Sequence, residues 1–139
     1  MIKLDPYLNF PGNTEQAFLF YKKVFGGEFA TFMRFGEMPG ADKMPVNDRN
    51  KILHVSLPIG SSTLMGTDAM DSMNQKLTLG DNFHIAIQID DEPETRRIFD
   101  ALAQGGVVIM PLAKEFWADL YGMCKDRFGV QWMINYKAQ

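Results

Sequence analysis

The chain has 139 residues, 46% of them hydrophobic, which suffices for one well-buried core and is too short for two ordinary independent domains. Fourteen basic against seventeen acidic residues give a formal charge of −3, and no run of Lys or Arg tracks a phosphate backbone, so nucleic acid is not an expected partner. Cys124 is the single cysteine, which excludes an intramolecular disulfide and fits a reducing compartment. Asp5 and Pro6 fall where a secretory signal would be apolar, and no segment approaches the roughly twenty apolar residues of a membrane span. The expectation is one cytoplasmic domain, residues 1–139, with no membrane partner.

Leu4 to Phe10 alternates Leu4, Leu8 and Phe10 with Asp5, Tyr7 and Asn9, the period of a strand with one apolar face and one able to line a cavity. Asn13 or Thr14 then offers a helix N-cap. Ala17, Phe18, Tyr21, Val24 and Phe25 recur at helical spacing for about three turns until Gly26-Gly27 stops them. Glu28 to Phe35 is β-rich. Gly36 to Lys51, with Pro39, Gly40, Pro45 and Asn47, reads as an exposed loop. Ile52 to Ile59 and Ser61 to Asp68 read as strands joined by a tight turn at Gly60. A polar stretch, Ala69 to Asp81, separates this half from the next.

The second half repeats the order. Asn82 to Ile89 is a strand, Glu92-Pro93 opens a helix carrying Ile98, Phe99 and Leu102, and Gly105-Gly106 ends it. Strands are expected at Val107 to Met110, Leu120 to Lys125 and Val130 to Tyr136, the last two linked by an Asp126-Arg127-Phe128-Gly129 turn. Residues 107 to 119 carry the weakest pattern. A shift of seventy-nine positions aligns Asp5 with His84, Leu8 with Ile87, Asn9 with Gln88, Phe20 with Phe99 and the two glycine pairs, without a gap. Repeats of about 3–68 and 82–136 follow, giving an α+β fold of two βαβββ modules forming a curved mixed sheet around a cleft.

Five segments carry a family resemblance: F-G-E-M-P at 35–39, I-L-H-V at 52–55, L-M-G-T-D-A at 64–69, F-W-A at 116–118 and D-R-F-G-V-Q-W-M-I-N at 126–135. In this order they resemble the PhnB-like proteins, some labelled demethylubiquinone methyltransferase-like, of the vicinal oxygen chelate superfamily, which includes glyoxalase and bleomycin resistance proteins. The resemblance covers nearly the whole chain. It implies paired βαβββ modules, a cleft in each half-barrel and a homodimer.

Metal enzymes of that superfamily hold a divalent ion with four inward His, Glu or Gln side chains, two from each repeat. The matching first-strand positions are Asp5 and His84, both able to donate. On the last strand the match falls at or beside Met133, and in the first repeat it falls around Leu64, Met65 and Gly66. Half the ligand set is therefore missing, unless Asp68 or His54 moves into the gap. The expectation is no metal and no cofactor, with a divalent ion doubtful.

The cleft candidates are Asp5, Tyr7, Asn9, His54, His84 and Trp117. His84 reads as a ligand-pocket histidine or as a satisfied core histidine, and the repeat register favours the pocket. His54 reads as a hydrogen-bond anchor ahead of a general base. Trp117 is placed at the cleft edge, Trp132 in the core, and Cys124 as an unreactive strand residue. No G-x-G, P-loop or nucleophile elbow occurs, and both glycine pairs follow helices, the wrong order for a nucleotide or adenosyl cofactor. The leading reading is a small-molecule-binding protein with a degenerate metal site. The alternative is a metal-dependent or metal-free enzyme of the lyase, isomerase or dioxygenase type, and a third is a structural dimer with a vestigial cleft.

Overall fold

The computed structural model describes residues 1–138, which fall into two units divided between Thr78 and Leu79. The first contains β1 (Tyr7–Phe10), α1 (Thr14–Phe25), β2 (Thr31–Arg34), the short α2 (Val46–Arg49), β3 (Ile52–Ile59) and β4 (Ser62–Asp68). Its sheet order is β1-β4-β3-β2; β1 runs parallel to β4 and the other pairs are antiparallel. The second contains β5 (Ile85–Ile89), α3 (Glu92–Ala103), β6 (Val107–Glu115), β7 (Ala118–Lys125) and β8 (Gln131–Tyr136), ordered β5-β8-β7-β6. The same parallel and antiparallel pairings recur. Each unit is one βαβββ module with its own four-stranded mixed sheet.

In the first unit Leu8, Phe10, Val55, Leu57 and Leu64 are buried from the sheet, and Ala17, Phe18, Tyr21 and Val24 from one stripe of α1. Each large apolar side chain buried this way contributes roughly 1.5–3 kcal/mol. Phe18 packs edge-on to Phe10 and Tyr21, with ring centroids 6.3 and 5.4 Å apart. It lies over Gly66, where a Cβ would stand 2.5 Å from its Cε1. Gly66 therefore faces α1, and residues of the opposite parity face away.

The start of α1 is held from a distance. Asp68, at the end of β4 and 1% exposed, accepts the Thr14 amide (3.0 Å), the Thr14 hydroxyl (2.6 Å) and the Ile52 amide (2.8 Å). Asn13 makes no capping bond. The helix thus begins at Thr14 because a strand carboxylate 54 residues later satisfies its first amide. Its end is local: Gly26 takes φ 79° and donates its amide to Lys22.

The second unit caps α3 with a neighbouring residue, Asp91, whose carboxylate accepts the Glu94 amide at 2.9 Å. Thr95, Ile98, Phe99 and Leu102 form its buried stripe, while Arg96–Glu92 and Arg97–Glu94 ion pairs cover its exposed face. In the β7–β8 turn Asp126 accepts the Phe128 and Val130 amides and the indole N–H of Trp132 at 2.8 Å. Trp132 is buried, as expected.

Several boundaries differ from the pattern reading. The first strand begins at Tyr7: Pro6 has no amide to donate, the Asp5 carboxylate takes the Thr63 amide, and Leu4 remains exposed. Likewise β5 begins at Ile85, which leaves Asn82 and His84 ahead of it. The stretch 36–51 is ordered by 3₁₀ turns at 35–37 and 41–43 and by α2. Phe35 and Ala41 anchor it in the core, and Arg49 donates to the Met44 and Asp42 carbonyls. The second strand of the second half, β6, spans nine residues, to Glu115, with three register shifts. Pro111 is tolerated there because β6 is an edge strand.

Candidate functional site

In the first sheet the face away from α1 is set by register. Tyr7 pairs with Met65 and Asn9 with Thr67 across β1–β4; Ser56 pairs with Met65 across β3–β4, and Met33 with His54 across β2–β3. Tyr7, Asn9, Met65, Thr67, His54 and Met33 therefore share one open face. Tyr7 and His54 reach across β4 and stack, with centroids 5.8 Å apart and planes 24° from parallel. Thr67 donates its hydroxyl to the Leu53 carbonyl at 2.7 Å. Asn9 makes no hydrogen bond among the described residues.

The second sheet repeats this arrangement. Gly122 faces α3, where a Cβ would approach Phe99 at 3.0 Å, so Tyr121 and Met123 face away. Tyr121 pairs with Asn135, Gln88 with Asn135, and both Met123 and Ala86 with Met133. Leu8–Gly66–Val55 in one ladder corresponds to Ile87–Ile134–Gly122 in the other. The equivalent pairs are then Asn9 and Gln88, Met65 and Met133, Thr67 and Asn135, His54 and Tyr121. Trp117 meets Tyr121 edge-on at 5.4 Å, and Phe116 meets Trp117 at 4.7 Å. Asn135 Oδ1 is buried with no hydrogen-bond partner.

The sequence candidates separate accordingly. Tyr7, Asn9 and His54 come together on the open face of the first unit. Asp5 precedes β1, and its carboxylate is engaged by the Thr63 amide at 3.0 Å and by Lys3 at 3.5 Å. His84 is exposed ahead of β5, and Trp117 sits in the β6–β7 turn. Pattern reading missed Met33, Met65, Tyr121, Gln88 and Asn135. Their alternation was visible in each strand, but which alternate residues face the helix depends on pairing.

The metal positions implied by the resemblance do not fit a hard or borderline cation. Met65 and Met133 occupy equivalent ladder positions on the open faces, and a thioether is a soft donor. Among the described residues no three of His, Cys, Asp or Glu come together. Cys124 is buried, and loss of water together with the Asp126 charge pushes its thiol up to about 12, far from a working nucleophile.

A cavity of about 440 Å³ lies on the helix side of the first sheet, lined by Gly12, Glu15, Arg34, Asn50, Lys51 and Asp68 among others. Its charges are mutually satisfied. Arg34 grips Glu15 with two bonds of 2.8 and 2.9 Å, and this guanidinium holds the Glu15 carboxyl below the usual carboxylate range. Lys51 donates to the Gly12 carbonyl at 3.1 Å. The arrangement ties α1 to β2 and to the end of the 36–51 segment.

Residues 2–135 match the family model described as 3-demethylubiquinone-9 3-methyltransferase. The chain belongs to this PhnB-like family. Protein YjdN of Escherichia coli (strain K12) is 34% identical over 98% of this chain and 96% of its own length. The crystal structure of protein PA1353 from Pseudomonas aeruginosa is similar over the whole of both chains, with 37% identity and a TM-score of 0.88. The PhnB protein from Bacillus cereus is similar over 97% of this chain and 99% of its own, with 25% identity and a TM-score of 0.77. The paired modules have the glyoxalase and bleomycin resistance fold, here as two sheets that do not close. In this PhnB-like chain the repeated open faces carry carboxamides, thioethers and aromatic rings.

Proposed function

We propose that this PhnB-like chain binds a small organic molecule on the open sheet faces, without a resident divalent metal, and works as a homodimer. The observation that carries the reading is the pair Met65 and Met133. They stand at equivalent ladder positions where chelating residues are needed, and no neighbouring carboxylate or imidazole completes a ligand set among the described residues. Asn9 and Gln88 remain as hydrogen-bonding groups beside them, and the aromatic side chains supply contact area. Dimer formation is supported by Val107, Val108, Ile109 and Met110 of edge strand β6, all exposed in the single chain.

The family's description names a methyltransferase, but the absence of a glycine-rich turn after any strand argues against an adenosyl cofactor site in this chain. The competing reading is metal-free catalysis with His54 as general base, favoured by its place on the open face beside Tyr7.

The first test is elemental analysis of untagged protein purified without chelator, then loaded with nickel, zinc, manganese or iron and washed. We expect far less than one equivalent. Near-stoichiometric metal that is lost in His84→Ala would overturn the reading in favour of a metalloenzyme. Turnover of any screened substrate that His54→Ala abolishes, with folding intact, would establish the catalytic alternative.

A further inference from the structure

The two open faces share a feature that neither the metal positions nor the family description uses. Each places an aromatic pair on the sheet. In the first unit Tyr7 stacks nearly parallel on His54, and in the second Trp117 packs edge-on to Tyr121. His54 and Tyr121 occupy equivalent ladder positions, so each module builds its pair around the same point of its third strand. Neither pair is core packing: Tyr7 and Trp117 are each 48% exposed, on the side of the sheet away from the helix.

The chemistry around the Tyr7–His54 pair restricts what it can hold. The open-face positions on β1, β3 and β4 contain no Asp, Glu, Lys or Arg. A strongly charged ligand would lose hydration there with no counter-charge to replace it. A half-exposed ring already stacked on a second ring offers its free face to a third flat surface, and a conjugated ring fills that place better than a flexible chain. Met65 and Met33 flank the pair and supply polarizable contacts to a ring edge. Asn9, with no hydrogen-bond partner among the described residues, is placed to meet a hydroxyl or carbonyl on that ring.

We infer that the Tyr7–His54 pair is a stacking platform for a planar, uncharged conjugated ring bearing a hydroxyl or carbonyl group, with Asn9 as its polar contact. The Trp117–Tyr121 pair, beside the unpartnered Asn135 Oδ1 and Gln88, is a second platform of the same kind. The inference rests on the ligand-binding reading above and narrows it to a ring class.

The test uses full-length dimer labelled at the methionine methyl carbons and titrated with 2-naphthol, with its saturated counterpart 2-decalol, and with a chemically broad fragment set. Expected is a saturable ring-current shift of the Met33 and Met65 methyls with 2-naphthol, and weaker binding of 2-decalol. Tyr7→Leu, at a half-exposed site and with its methyl spectrum otherwise retained, should weaken 2-naphthol by between about twofold and tenfold. Trp117→Leu should reduce any shift at Met123 and Met133 and spare those at Met33 and Met65. Equal affinity for both alcohols with Tyr7→Leu unaffected overturns the ring class and leaves small-molecule binding standing. Shifts confined to Met110 on β6 overturn the platform. If nothing in the fragment set moves an open-face methyl, the platform and the ligand-binding reading fall together.

Discussion

Two buried carboxylates hold the chain together at points where the backbone would otherwise leave amides unsatisfied. Asp68 accepts three hydrogen bonds, joining α1 to β3, and Asp126 accepts three within the β7–β8 turn and its tryptophan. Removing either acceptor orphans several buried donors at once, so Asp68→Ala and Asp126→Ala should each cost roughly 3 kcal/mol in urea unfolding. By contrast, Glu15→Gln should cost at most about 1 kcal/mol, because the Arg34 pair is more than one-third exposed and screened by solvent. Cys124 supplies a pH test. Its folded thiol stays neutral to about 12, so native protein at pH 8 should resist iodoacetamide while urea-unfolded protein reacts. The linkage has a definite sign: the thiol's contribution to stability is full below the unfolded value near 8.5, and is lost as pH rises from there through about 12.

At the scale of elements, two glycines separate forgiving from unforgiving contacts. A Cβ on Gly66 would meet the ring of Phe18, a side chain that can shift, whereas a Cβ on Gly106 would stand 2.1 Å from the Lys125 carbonyl and 2.9 Å from the Asp126 backbone. Gly66→Ala should therefore cost about 1–3 kcal/mol with the fold retained. Gly106→Ala should be worse, since the β6–β7 ladder itself must move, and near-total loss of soluble, cooperatively unfolding protein is the expected result. Thermal melts of the two variants rank them; the reverse order would mean that the β6 ladder yields more easily than α1 packing. The two helices are also started differently. Asp91 caps α3 from the adjoining residue, while α1 depends on Asp68 from β4. The second dependence is invisible in local sequence.

For the molecule as a whole, the segment joining the units is almost entirely exposed from Asp71 to His84. Limited trypsin digestion should cut first at Lys76, giving two fragments that map to the two sheets. Early cleavage at Arg34 or Lys125, within strands, would contradict the modular division. No helix among the described residues is long and apolar enough to cross a membrane.

The order of elements, the duplicated register and the family are legible in the residues alone. Period-two and period-3.6 patterning, glycine stops and the alignment of Leu8 with Ile87 all follow from local backbone geometry, which neighbouring residues specify. The sequence also named Tyr7, Asn9 and His54 among six cleft candidates, with Asp5, His84 and Trp117, and placed Trp132 in the core. The rest depends on contacts between residues distant in the chain. Asp5 and His84 lie ahead of their expected strands; beside Asp5 the ladder stops because Pro6 has no amide to donate and the Asp5 carboxylate takes the Thr63 amide. The 36–51 segment became ordered because Phe35 and Ala41 found core positions that no local period announces. The open faces were assigned only when Gly66 and Gly122 met Phe18 and Phe99, since alternation divides a strand into two faces but does not say which one a distant helix will cover.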